Sequence, residues 1–505
     1  MNKYNLFIKI SAVLIILAAI TFRIIAFYSN SFNINIDECH SIAWLRDNLK
    51  ETLTVFKQGA NFLIGYKLLL KGIYSVFQFN YTAFKLPSLI AGILCVFLFK
   101  SLAFKIFKNK ILALSALLLF TFNYTIIYYS NVIKPYEFDI LFSLFIIKMF
   151  IIIENIGINE FLKKKIKYLY ALITALSLFF SIPSVIIFFL CYSILLLKKF
   201  IQNDKSSIIN LIKAIPVFLI LIGIEYFLYI SQMIGDESLK GMWLSNEFFF
   251  MPNSIEAVNS LINFSFIIFS WVDSNVVFHF NKFLIIGLLF LFFGGTYNFL
   301  KKNNFNTGIY ICSSIYVFIL LSFLKIYPFT NRCITFIIPL FILVLLKAFD
   351  TNLNKQLKLM FTSIAVIFCT IYLYFIVFKC PYISDFLKQD KEYFIMQKIH
   401  FRDFENLKED EILFSTSTPC YYCFNNPNVI PLGTLRLSQT EKSIYESIAV
   451  KIKNKNKIYF NYNLLDDNIE DINKFQKYFE NKGYKLVSRF DKISNFSYLE
   501  FKKLN

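Results

Sequence analysis

Two adjacent acids, Asp37 and Glu38, follow the first long apolar run of this 505-residue chain. A carboxylate at the mouth of a hydrophobic helix suits proton transfer, because it can take the proton of an attacking hydroxyl or amine. Asp37 is the candidate base, and Glu38 either shares that role or holds the acceptor. An N-cap or a solvated acid is the plain alternative at the same place. Cations suited to phosphate recur further on: Lys134 at the entry to another apolar run, Arg332 in an aromatic loop, and Lys85. Arg332 stands out because most of the positive charge is Lys, and a planar guanidinium fork matches phosphate oxygens. Tyr136 and Tyr327 are candidate hydrogen-bond partners for a sugar or phosphate, or ordinary interfacial belt residues. Asp139 falls five residues past Lys134, one to two helical turns into the apolar run, where a charge must face a cavity or a cation. Glu137 reads as a residue at headgroup level. Asp37, His40 and Asp273 make an incomplete metal set, so no metal is assigned and no cofactor is committed.

Those residues must be positioned by membrane helices. Hydrophobic residues make up 57% of the chain, against roughly 45–50% in soluble domains. Several apolar runs reach the ~20 residues needed to cross a ~30 Å hydrocarbon layer. The fold class is a polytopic α-helical membrane protein. The 63 Phe accompany abundant Ile, Asn, Lys and Tyr, a genome-wide bias from which no aromatic site follows. The net charge of +19 resides in Lys clusters between runs, the pattern of cytoplasmic anchoring and not of nucleic-acid binding.

Placing every Lys cluster on the cytoplasmic side gives about 11 spans. The first, residues 4–28, is retained and not a signal peptide. Residues 52–79 read as juxtamembrane or interfacial helices on the outer side. Spans follow at 83–99, 111–128 and 135–153. The run 168–197 goes out and back, with the break at Ser181 and Pro183. Further spans are 211–230, 283–300, 308–324, 333–346 and 359–378. The candidate site residues then fall on the outer side, and the inner loops carry no phosphate-cradling glycine motif and no HExxH.

Residues 1–378 form the transmembrane catalytic domain in this reading and 379–505 an outer α/β domain. In the tail, 411–416, 457–462, 484–489 and 497–501 read as strands, and 438–450 and 469–481 as amphipathic helices. Its role reads as accessory or acceptor-positioning. Cys420-Tyr-Tyr-Cys423 suits a local disulfide outside the cytosol, with a redox-active CxxC as the alternative.

Taken together, these segments resemble the bacterial polyprenyl-phosphate-sugar glycosyltransferases of the GT-C class, the superfamily of protein mannosyltransferases and aminoarabinose transferases. The likeness rests on Asn35-Ile36-Asp37-Glu38 after the first span and on Lys85-Leu86-Pro87-Ser88, where the family has Arg-Leu-Pro-Ser. It rests also on Lys134-Pro135-Tyr136-Glu137-Phe138-Asp139 and on Tyr327-Pro328-Phe329 with Arg332 and Pro339. The resemblance implies a sugar donor on a polyprenyl phosphate that enters from the outer leaflet, with a first-loop acid acting at the acceptor. Lys134, Arg332, Lys85, Tyr327 and Tyr136 are then donor-binding, and Asp37, Glu38 and Asp139 catalytic. An inverting transfer to an envelope lipid, glycan or protein at the bacterial cytoplasmic membrane is the leading expectation. A polysaccharide ligase or polymerase is the second reading, and a transporter or flippase the third; the latter should show broken midplane helices in repeated halves.

Overall fold

The computed structural model describes residues 3–30, 38, 41–42, 45, 49, 63–78, 80–231, 281–301, 305–328, 333–350, 363, 407–415, 428–431, 441–462, 469–491 and 497–504. The chain divides into two compact units, Met1–Phe32 with Trp44–Ser384, and Asn33–Ala43 with Asp385–Asn505.

Helices build the first unit. In order they are α1 (Lys3–Asn30), α2 (Ile64–Phe77), α3 (Tyr81–Ile106), α4 (Lys110–Thr121), α5 (Tyr124–Tyr129), α6 (Tyr136–Ile156) and α7 (Ile158–Lys163). There follow α8 (Ile166–Phe180), α9 (Ile182–Ile201), α10 (Lys205–Glu225) with a π turn at Tyr226–Ile230, α11 (Asn281–Leu300), α12 (Phe305–Phe323) and α13 (Ile337–Lys347). Among the described residues five helices are long and apolar enough to cross a membrane: Tyr4–Tyr28, Tyr81–Ile106, Ile182–Ile201, Lys205–Leu228 and Phe305–Phe323. The helix α6 is the hub, packed against α3, α9, α12 and α8, while α1 lies on α3 and α4. Their buried Leu, Ile and Phe form one continuous core.

The run 168–197 breaks as expected, into α8 and α9 at Ser181, whose side chain caps Ser184 N at 3.2 Å. The 14 residues of α2 reach about 21 Å at 1.5 Å per residue, too short to cross ~30 Å. Two expected spans are corrected. Residues 111–128 are not one helix: Asn123 accepts from Ile126 N at 3.1 Å and starts a new one, ending α4 at Thr121. The span expected from 333 begins with a turn, and its helix starts at Ile337. The expected span 359–378 lies outside the described residues, apart from Ser363, as does the outer segment between 231 and 281.

Polar clamps lock the Lys-rich ends of these helices. Glu154 of α6 pairs with Lys198 of α9 at 3.3 Å and accepts from Tyr310 OH of α12 at 2.8 Å. Lys347 pairs with Asp350 at 2.7 Å, donates to Ile106 O at 3.2 Å, and faces the Phe107 and Phe299 rings.

In the second unit, strands β1 (Glu411–Ser415), β2 (Val429–Pro431), β3 (Lys457–Tyr462), β4 (Tyr484–Asp491) and β5 (Ser497–Lys503) form one sheet of order β2-β1-β3-β5-β4. The first three pair in parallel, and β5 is antiparallel to both β3 and β4. Alternate residues Ile412, Phe414, Ile458, Phe460, Leu499 and Phe501 point to one face. They pack there against Ile448 and Ile452 of α14 (Glu441–Ile452) and Ile472, Phe475 and Phe479 of α15 (Ile469–Asn481). The strand β2 was not legible in the sequence, being only three residues long. Cys420 and Cys423 lie outside the described residues.

The Glu154 clamp makes a direct prediction. Removing Glu154 takes away both the half-buried ion pair with Lys198 and the acceptor of Tyr310 OH, at about 1–3 kcal/mol. Glu154→Ala should therefore lower the unfolding midpoint of the purified protein in detergent clearly, and the double variant Glu154→Ala/Lys198→Met should recover much of the loss.

Candidate functional site

The site elements start from a proline-bearing helix. In α3, Lys85 is fully buried, and Ser88, one turn on, is buried as well. The Ser88 hydroxyl donates to Val132 O at 2.8 Å and to Lys134 O at 3.4 Å. The Lys85-Leu86-Pro87-Ser88 segment thus holds the loop that carries Lys134, itself only 9% exposed. Two sequence motifs, some forty-five residues apart, lie against each other.

The α6 helix begins at Tyr136, directly after Pro135, where a fixed φ suits a helix start. Asp139 therefore lies in the first turn and not one to two turns deep. Its carboxyl is buried and faces the Ser181 side chain at the α8–α9 break. The Tyr327 phenol lies within electrostatic reach of Asp139, Tyr136 and Cys333. It donates to Cys333 O at 2.9 Å and packs edge-on against Phe318. Tyr136, Asp139 and Tyr327 are thereby gathered from α6 and the α12–α13 loop, with the Tyr129 ring 4.7 Å from Tyr136.

The short helix α2 borders the same region. Tyr66 packs on Phe138 of α6 at 5.7 Å, and Phe138 on Phe180 of α8 at 5.3 Å. Gly65 allows this approach, since a Cβ there would stand 2.6 Å from Phe179 O. Glu225 of α10 accepts from Ile64 N at 2.7 Å. A carboxylate on the open N-terminus of α2 is electrostatically favoured. Buried Lys67, one turn further, adds a cation near Glu225.

Glu137, read from the sequence as a headgroup-level residue, is fully buried in the protein against Gly92 of α3. Arg23 of α1, also fully buried, is its charge neighbour. Arg23 escaped the sequence reading although it is the one charge between Lys9 and Tyr28 in an apolar span. That isolation was the available signal. Glu225, the one acid in its own apolar run, carried the same signal.

Glu38 is buried, with Ser41 and Ile42, and belongs to the unit that contains the C-terminal sheet. Lys85, Lys134, Tyr136, Asp139 and Tyr327 belong to the helical unit. Asp37, His40, Asp273 and Arg332 lie outside the described residues.

No protein-family model matches the chain, and no curated protein matches it in sequence. Its structure is similar to that of ArnT from Cupriavidus metallidurans bound to undecaprenyl phosphate, with a TM-score of 0.59 at 9% identity over 97% of both chains. The apo form of that protein gives 0.55 at 10% identity over the same shares. The archaeal oligosaccharyltransferase AglB from Archaeoglobus fulgidus, in complex with an inhibitory peptide and a dolichol-phosphate, gives 0.50 at 10% identity, covering 99% of this chain and 74% of that one. The chain has the GT-C fold, shared with ArnT over nearly its whole length.

Proposed function

We propose that the protein is a multi-pass membrane glycosyltransferase that moves a sugar from a polyprenyl-phosphate donor to an envelope lipid, glycan or protein. The observation that carries this reading is the Ser88 contact, which joins the Lys85 and Lys134 motifs in a chain of the fold that ArnT uses to bind undecaprenyl phosphate. Lys85 and Lys134 are both buried cations, a charge type suited to a phosphate. A lipid phosphate gains charge as the sugar leaves, and stabilising that charge is where an electrostatic site accelerates transfer. Arg332, in the loop after Tyr327, is assigned to the same phosphate. Asp37 is assigned as the base that takes the acceptor proton, with Glu38 sharing or supporting that role. Asp139, buried beside Ser181, organises the entry of α6.

The reaction takes place on the outer side of a bacterial cytoplasmic membrane in this proposal, with the N-terminus inside and the C-terminal domain outside. The breaks at Ser181 and Phe122–Asn123 and the π turn after Glu225 all interrupt helices at the ends remote from the Lys clusters. Irregular backbone at membrane depth is tolerated where it lines a protein cavity.

Three measurements test the reading. In lipid nanodiscs, undecaprenyl phosphate should bind by native mass spectrometry, and Lys134→Ala or Lys85→Ala should weaken it about tenfold, the loss of one charge-assisted contact. Absence of binding by the unaltered protein would overturn the donor class. Mass analysis of envelope glycans should show a sugar missing from a deletion strain, and Asp37→Asn at normal abundance should reduce its transfer by roughly 10²–10⁴-fold. Full transfer by that variant would move the base role away from Asp37. A cysteine placed at Lys105 should resist an impermeant outer thiol reagent while one at Gly235 reacts; the opposite pattern would invert the topology.

A further inference from the structure

Outside the donor-binding groups, the helical unit buries a charged couple beside the Lys134 segment that the proposed mechanism does not use. Arg23 and Glu137 are both fully buried, on α1 and α6. Gly92 of α3 separates them: a Cβ built there would lie 3.4 Å from Arg23 Nε, 3.4 Å from Glu137 Oε2 and 2.7 Å from Ser130 Cβ. The two charged atoms are therefore no more than about 6.8 Å apart, twice that distance. Among the described residues no hydrogen bond joins them, and Arg23 Nε and Nη2 and both Glu137 carboxyl oxygens have no hydrogen-bond partner. Their only matched atom is Arg23 Nη1, which donates to Ala19 O at 3.2 Å and Thr121 O at 3.3 Å.

The position of each charge is what gives the couple a task. Thr121 is the last residue of α4, where exposed carbonyls favour a cation, and Arg23 is that cation. Glu137 is in the first turn of α6, where exposed amides favour an anion. The chain between these two helix ends, 122–135, carries Ser130, Asn131 and Lys134. One stripe of α3 follows it, since Lys85, Ser88, Gly92 and Cys95 recur at helical spacing. Ser88 holds the loop at Val132 and Lys134, Gly92 meets Ser130, and Cys95 donates to Glu137 O at 3.7 Å.

Building on the donor class proposed above, we infer that Arg23 and Glu137 are positioning residues, a buried charge couple across Gly92 that fixes the 122–135 segment and so sets where Lys134 meets the lipid phosphate. Neither touches substrate. They act through Lys134, and that makes the role separable from simple support of the fold.

The test measures undecaprenyl phosphate affinity and unfolding midpoint for the full chain in nanodiscs. Arg23→Gln and Glu137→Gln should each weaken binding about tenfold and lower the midpoint, since each leaves one buried charge alone. The double variant should regain most of the midpoint and remain about tenfold weak in binding. In a Lys134→Ala background, Arg23→Gln should change affinity less than twofold. Unaltered affinity in the double variant would overturn the positioning role, as would a further tenfold loss in the Lys134→Ala background. If the unaltered protein binds no undecaprenyl phosphate, the donor class fails and the positioning role fails with it. Binding by the unaltered protein with an unaffected double variant would remove only the positioning role.

Discussion

An ionisable side chain inside an apolar bundle has to find its partner within the protein, because little water reaches it. The first turn of α6 lives under that constraint on two sides at once. Glu137 and Asp139 are two residues apart, about 200° around the helix axis. Glu137 points toward Arg23 and α3, and Asp139 toward Ser181 at the α8–α9 break. The turn is gripped between two halves of the bundle. Lys134 and Tyr136, which flank this turn, inherit their positions from that grip.

The helical unit is built differently at its two ends. At the Lys-rich ends, Glu154, Lys198 and Tyr310 join α6, α9 and α12, while Lys347 joins α3 to α13. These clamps are nearly closed networks with short connections. At the opposite ends the helices break, at Asn123, at Ser181 and in the π turn at Tyr226–Ile230. Breaks free backbone groups and make room for side chains of several helices to meet, which is how a site is made inside a bundle. Lys85, Lys134, Tyr136 and Tyr327 lie at the broken ends, and the rigid ends hold the frame against which they are placed.

Among the described residues α14 and α15 cover one face of the C-terminal sheet, and the other face carries polar side chains beside the buried Leu413. Lys457 and Glu500 pair there at 2.7 Å, with Ser488 donating to Glu500 at 2.9 Å. Residues Asn33–Ala43 join this unit, and Glu38, Ser41 and Ile42 are buried.

Hydropathy and charge determined much from the chain alone. Apolar runs of sufficient length located the helices, Lys clusters marked one set of ends, and Ser181 with Pro183 announced a break, because these are local properties of composition and backbone chemistry. Alternation in the tail located four of its five strands and both helices for the same reason. The end of α4 at Asn123 needed the observed cap, since Asn is common in loops and helices alike. The partners of charged residues were decided only by the fold. Glu137 read as a headgroup residue and Arg23 drew no reading at all; only the packing of α1, α3 and α6 brought the two to Gly92. Burial and pairing are set by which helix packs on which, and no stretch of sequence records its neighbours.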